Sequence, residues 1–446
     1  MTGTRPVFRG RSAFLFGFAP NEHEVAPGMH LTTWWGSPDL VMPDGVEERN
    51  VRLQAEDGGH SRGILYRRGG ERTAIIFNHP RGDFSSHYLT PALLAAGYAV
   101  FGGQTRNLAN DIDCIHEYLL ADLAAQVRYL RAAGFEKVIL CGNSGGGSLS
   151  LFYQAQALTP PPGRLTDTPA GDPYDLNGLT MSPADGIVLL AAHVGEGLYG
   201  LAAIDPSVTD ETDPLSCDPA LDMYNPDNGF REPPEPSAYS DEFLARYREA
   251  QRARCARVDA IARQNIERRR HYRAMMARAD FGELPLKERL YITRMATASR
   301  YMTVWRTQAN PAMTDLSIDP SKRVIGSLLG PDPHAVNYKF ETFASVMTPE
   351  GWLSTWSGLS SRAASVANIE KVDQPLLIVS YTADIAVLPQ EAQDMLDNAA
   401  STDKTLVTVD ADHYGYAIEG EKSSTLVETG QRVTDWLKSR FPAAAA

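Results

Sequence analysis

The sequence predicts an α/β fold: a mostly parallel central sheet with helices on both faces, interrupted by an inserted, mainly helical cap. Three observations lead there. Short apolar runs alternate with helix-period segments between residues 73 and 192, the alternation lapses between 196 and 345, and it resumes from 376 to 440. Parallel strands need crossover helices, and strands buried on both faces read as continuous apolar runs. The boundaries that follow are an irregular N-terminal arm (1–48), a first part of the sheet domain (49–195), the insertion (196–345) and a second part of the sheet domain (346–446).

The arm contains Trp34-Trp35-Gly36 and several prolines without periodicity. Arg5, Arg9 and Arg11 precede a short apolar run, 13–19, in the outline of a signal peptide. Pro20-Asn21-Glu22-His23 follows where small residues would mark cleavage, so the segment reads as an arm packed on the body. Residues 50–54 alternate, Asp57-Gly58-Gly59 turns and 62–66 returns, which is a hairpin signal. Apolar runs 73–77 and 98–101 read as strands flanking a helical stretch, 85–96. Leu119, Leu120, Leu123, Val127 and Leu130 fall at helical spacing and predict an amphipathic helix over 115–133. Strand 138–141, helix 148–157, a Pro-, Gly- and Asp-rich loop 159–185 and strand 186–192 complete the first part.

Inside the insertion, 205–240 is Pro- and Asp-rich, 241–279 reads as one or two long helices, 285–299 as another, and 310–338 as irregular. Strand 376–380, helix 390–399, strand 405–409 and helix 423–440 then restore the rhythm. The net charge of −13 gives no general attraction to nucleic acid or to anionic membrane, and no apolar run reaches bilayer-spanning length. Four scattered cysteines show no zinc spacing, and a reducing, cytoplasmic setting fits them.

The chemistry-bearing motif is Gly142-Asn143-Ser144-Gly145-Gly146, between the strand at 138–141 and the helix at 148–157. A nucleophile on so sharp a turn brings neighbouring elements very close, and glycine lacks the side chain that would clash at the flanking positions. The gain is an exposed hydroxyl beside a helix N-terminus, where the backbone N–H of Gly145 can stabilise an oxyanion. On this motif in this context the sequence resembles the α/β-hydrolase superfamily, of serine esterase type with a large inserted cap.

That resemblance implies partners in the order serine, acid, histidine, each beyond the C-terminal end of a sheet strand. A serine hydroxyl needs a base to take its proton, and the base needs an orienting carboxylate. Asp384 follows strand 376–380 by a short turn and precedes Pro389; His413 follows strand 405–409 directly. Asp410 and Asp412 are the rivals to Asp384, although both stand close to His413 in sequence. The second oxyanion donor is expected after strand 73–77, where the superfamily commonly has His-Gly-x and this chain has His79-Pro80-Arg81. Proline has no N–H, so the usual register points to the backbone N–H of Arg81. The Arg81 guanidinium is also read as a substrate-carboxylate ligand or a salt-bridge partner of Asp83. His79, Gln104, Arg106 and His193 lie near C-terminal strand ends and are candidates for substrate contact, with a hydrogen-bonded structural role as the alternative for both histidines. His79, His87, His116 and His193 are the alternative candidates for the base.

The resemblance therefore implies a serine esterase with Ser144 as nucleophile, His413 as base and Asp384 as its partner, acting on a small-molecule ester. No metal or cofactor is implied. The same side chains also suit an amide, a lactone, a thioester, a carbon–carbon bond next to a ketone, or transfer to an acceptor other than water; a hydrolase fold kept as a binding module is the non-enzymatic alternative. Aromatic and apolar residues of the insertion, Tyr291, Ile292, Met295, Tyr301, Met302 and Trp305, are expected to form its core, a few of them roofing the pocket. Its arginine-rich helix reads as a solvated face, as a subunit contact in a homodimer, or as a surface drawing anionic substrate.

Overall fold

The computed structural model describes residues 41–339 and 342–444. The first 40 residues of the arm, with its three arginines, its 13–19 run and Trp34-Trp35, thus lie outside the described residues, and β1 begins within its last two.

Strands β1 (Glu47–Gln54) and β2 (His60–Arg67) form the hairpin, pairing Val51 with Gly63 across the turn. Then come β3 (Thr73–Asn78), α1 (Thr90–Ala95), β4 (Ala99–Gln104), α2 (His116–Ala132), β5 (Lys137–Asn143), α3 (Gly145–Leu158) and β6 (Gly186–Leu190). The stretch 85–96 is helical only in its second half. Pro91 occupies the first turn, the position a proline tolerates, and before it His87 is stacked on Phe77, centroids 3.9 Å apart. The chain then leaves the sheet. It forms α4 (Glu196–Ala203), α5 (Asp241–Met276), α6 (Leu286–Thr297), a small ribbon of β7 (Met302–Thr303) and β8 (Val346–Met347) with α7 (Pro333–Asn337) between them, and α8 (Pro349–Gly351) running into a π turn. After α9 (Ser365–Ile369) it returns through β9 (Leu376–Tyr381), α10 (Pro389–Asn398), β10 (Lys404–Val409) and α11 (Ser424–Lys438).

The main sheet has the order β1-β2-β4-β3-β5-β6-β9-β10, and only β2 runs against the rest. Side-chain alternation along its buried strands builds two cores. In β5, Val138 and Leu140 face a layer with Leu119, Leu123 and Val127 of α2 and Leu149 of α3, while Ile139 and Cys141 face Leu93 of α1 and Leu426, Val433 and Leu437 of α11.

The long helix α5 is single because its 36 residues contain neither glycine nor proline. Ser240 caps it, accepting from the Phe243 N–H at 3.1 Å, and Asp241 and Glu242 complement the positive end of its dipole. Four of its arginines take a role outside the three expected: they fasten the helix to neighbouring segments. Arg254, fully buried, and Arg257 share Glu211 at 2.9 and 2.8 Å, Arg270 reaches Asp172 at 2.9 Å, and Arg269 pairs with Glu350. Arg268 is exposed. No helix among the described residues is long and apolar enough to cross a membrane.

Candidate active site

The sharp turn after β5 explains its own composition. Ser144 has φ 53° and ψ −124°, well outside the regions an L-residue prefers, so the surroundings must hold it there. Its N–H donates to the Leu190 carbonyl on β6 at 3.0 Å. The preceding Asn143 is buried, donating from Nδ2 to the same carbonyl at 3.0 Å and meeting His87 Nε2 through Oδ1 at 3.0 Å. A Cβ on Gly142 would strike the Gly146 carbonyl oxygen, and one on Gly146 would strike the Asn78 carbonyl oxygen at the end of β3. Both obstacles are backbone and cannot swing aside.

Three predicted side chains meet at the C-terminal edge of the sheet. Ser144 Oγ stands 3.1 Å from His413 Nε2, and His413 Nδ1 stands 2.7 Å from Asp384 Oδ2. Asp384 is held by its own loop: its Oδ1 accepts the N–H groups of Ala386 at 2.7 Å and Val387 at 2.9 Å. The rivals are engaged elsewhere. Asp410 is exposed and paired with Lys322 and Thr382, and Asp412 Oδ1 accepts the Tyr414 and Tyr416 N–H groups, each at 2.9 Å. Burial opposes the charged form of His413, but the charge and hydrogen bond of Asp384 outweigh it and raise the imidazole pKa above its ordinary value. Both groups are buried, His413 at 6% and Asp384 at 1% exposure, so their interaction is little screened.

Beside Ser144 lies a charged cluster that the sequence did not announce. Arg81 Nη1 is 2.7 Å from Glu196 Oε1, Arg81 Nε is 3.2 Å from Asp111, and His116 Nε2 is 2.9 Å from Glu196 Oε2. The guanidinium also lies over the Trp356 ring, 4.5 Å from its centroid. Burial alone would raise the Glu196 carboxyl, yet Arg81 and His116 hold it well below the usual carboxylate range. Glu196 Oε1 would sit 2.7 Å from a Cβ placed on Gly145, so the cluster borders the first turn of α3.

A sheet in which only β2 is reversed, carrying a strained serine between its fifth strand and the following helix, decides the architecture. The chain has the α/β-hydrolase fold. No protein-family description matches the sequence, and no curated protein matches it. Among solved structures, the chain is similar to the esterase domain of a Rhodothermus marinus protein, at 11% identity, TM-score 0.39, covering 88% of this chain and 98% of that one. It is similar to DcsB in complex with its substrate analogue, at 13% identity and TM-score 0.46, covering 89% of this chain and 100% of that one. It is also similar to the Pyrococcus furiosus esterase Pf2001, at 11% identity and TM-score 0.41, covering 92% and 99%.

The remaining sequence candidates divide. The Arg81 guanidinium pairs with Asp111 and Glu196 and not with Asp83, whose Oδ1 instead accepts from Gln104 Nε2 at 2.6 Å and from the Ser85 N–H at 2.8 Å. The Arg81 N–H points back to His79 Nδ1 at 3.2 Å. Gln104 and Arg106 are engaged within the fold: Asp83 accepts from Gln104, and two carboxylates, Asp57 at 2.8 Å and Asp122 at 2.8 Å, hold Arg106. His193 follows β6, accepts the Gly195 N–H at Nδ1 (3.1 Å) and is pushed down to about 4, by burial first and then by nearby charges including His413. His79 accepts two backbone N–H groups at Nδ1, from Arg81 and from Gly82 at 2.8 Å.

The apolar residues expected in the insertion's core divide, and Met302 is buried there beside Val304. Tyr291 and Tyr301 are exposed, Ile292 is buried, and Trp305 donates from Nε1 to the Glu211 carbonyl at 3.1 Å. The rings linking the insertion to the site are Tyr199, 5.8 Å from His193, then Phe343 at 6.0 Å from Tyr199, then Trp356 at 6.0 Å from Phe343. Tyr414, next to His413, donates to the Leu328 carbonyl at 2.9 Å and ties the histidine loop to the insertion. Glu196, Asp111 and this aromatic run were missed because each depends on partners distant in sequence. The one available signal was Glu196 itself, an acid in the apolar stretch just after β6.

Proposed function

We propose that this chain is a serine hydrolase that cleaves a small or medium apolar carboxylic ester through an acyl-enzyme on Ser144. The supporting observation is the unbroken hydrogen-bond line from Asp384 through His413 to Ser144. With Nδ1–H donated to Asp384, Nε2 is the acceptor facing the Ser144 hydroxyl. His413 takes the proton as Oγ attacks the substrate carbonyl, and Asp384 stabilises the resulting imidazolium. The Gly145 N–H, at the start of α3, donates to the tetrahedral oxyanion. On collapse His413 Nε2–H protonates the departing alkoxide, leaving an ester of Ser144. A water molecule then gives a proton to His413 and attacks that ester; collapse releases the acid and returns the proton to Oγ. Residues 196–345 serve as the cap, and Tyr199, Phe343 and Trp356 supply apolar surface that limits water beside the acyl group.

The test is covalent labelling by a fluorophosphonate probe, together with turnover of a panel of chromogenic esters, thioesters and diketones. The reading expects labelling and ester turnover in the native chain and neither in Ser144→Ala. A folded native chain that reacts with no probe and no ester overturns it; turnover confined to diketones moves the reaction to carbon–carbon cleavage with the same groups.

A further inference from the structure

The superfamily register assigns the second oxyanion contact to a backbone N–H after β3, here that of Arg81. In this chain that N–H is directed to the chain's own histidine, at 3.2 Å, and the next amide, Gly82, does the same at 2.8 Å. A ring nitrogen that accepts two N–H groups carries no proton, so the proton of the neutral imidazole is on the other nitrogen. Nε2–H of His79 is therefore a fixed donor, and among the described residues Nε2 takes no hydrogen bond. Its position is telling: a Cβ placed on Gly145 would stand 3.1 Å from His79 Nε2. The side-chain donor thus lies against the residue whose N–H heads α3 next to Ser144.

Two further observations support a neutral, rigid donor. Burial, reinforced by the neighbouring Arg81, pushes the His79 pKa down to about 3, so the ring stays uncharged at neutral pH. Its edge packs on Phe84, centroids 5.3 Å apart, and Gly82 approaches so closely that a Cβ there would meet Nδ1 at 3.0 Å. The histidine also explains the proline in His79-Pro80-Arg81. The loop turns its amides inward to hold the ring, and Pro80 has no N–H to leave unsatisfied.

We propose that His79 is a catalytic residue whose Nε2–H, paired with the Gly145 N–H, donates the second hydrogen bond to the oxyanion. This rests on the ester-hydrolase reading above. No covalent step changes; the proton stays on Nε2 throughout and the ring acts as an electrostatic donor.

The experiment compares native chain, His79→Ala and His79→Gln in p-nitrophenyl ester turnover, in inhibition by a boronic acid that mimics the tetrahedral state, and in fluorophosphonate labelling. The glutamine amide can accept the two backbone N–H groups at Oε1 and donate from Nε2. Removing one oxyanion donor is expected to lower kcat about 100- to 1000-fold in His79→Ala with KM nearly unchanged. Boronate affinity should fall in parallel with kcat/KM, a coupling that a merely structural role does not produce. His79→Gln should recover about tenfold or more of the lost rate. An Ala variant whose kcat stays within about threefold of native overturns the proposal while leaving the hydrolase reading intact. If His79→Ala does not fold, His79→Gln decides: a folded Gln variant that loses ester turnover and boronate affinity unequally overturns it. A native chain that neither labels nor turns over esters removes the underlying reading, and this inference with it.

Discussion

Asp384→Asn separates the role of a negative charge from the role of a shape. Oδ1 of Asp384 accepts two N–H groups, from Ala386 at 2.7 Å and Val387 at 2.9 Å, and an asparagine must keep its oxygen there. Its NH2 is then forced toward His413 Nδ1, where the carboxylate oxygen stood at 2.7 Å. The imidazole responds by moving its proton to Nε2, which faces Ser144 Oγ at 3.1 Å and can no longer accept. Restoring the reactive tautomer sets two donors against each other in a buried site, at about 1–3 kcal/mol, and loss of the charged hydrogen bond to the imidazolium adds about 1.5–3 kcal/mol. The sum, about 2.5–6 kcal/mol, corresponds to a loss of about 10²- to 10⁴-fold in kcat at 1.36 kcal/mol per decade. The assay is steady-state ester turnover with a parallel thermal melt. The two loop hydrogen bonds survive, so the melting temperature should hardly move. A folded Asn variant that keeps more than about a third of native kcat would remove Asp384 from the reaction.

Other consequences are measurable. The proposed ester turnover would require neutral His413, whose pKa Asp384 raises, so kcat/KM should climb with pH through a midpoint above the ordinary value of about 6.5, and a pH profile reads it directly. Asn143→Ala removes two buried hydrogen bonds under the serine turn and should lower stability by about 1–3 kcal/mol in urea unfolding. Arg254→Ala leaves the Asp205, Trp305 and Arg306 carbonyls without their guanidinium donor while Arg257 stays on Glu211, and should cost about 1–3 kcal/mol by the same measurement.

Much of the sheet was legible because its strands are buried on both faces and flanked by clear breakers. The order β3 to β6 and the return at β9 could be read from apolar runs such as Ile75-Ile76-Phe77 and Leu376-Leu377-Ile378. Ser144, Asp384 and His413 could be located because each follows a strand, a local property. Long-range pairing was not legible. Nothing near Arg81 in sequence indicates that Glu196 and Asp111 reach it, and Arg106 looked free because Asp57 and Asp122 lie far from it along the chain. The helix expected from residue 85 starts only at Thr90, because tertiary stacking of His87 on Phe77 overrides a helix-compatible composition. The turn of the Arg81 and Gly82 amides onto His79 is local, and a histidine two and three residues ahead of them was a readable signal.

The most direct test of the account is rapid acid quench during turnover of a p-nitrophenyl ester, followed by peptide mass spectrometry. The account predicts an acyl adduct on the peptide containing Ser144, at the hydroxyl of that residue, and its absence in Ser144→Ala. Ester turnover with the acyl group on another residue, or with Ser144→Ala still fully active, would contradict it.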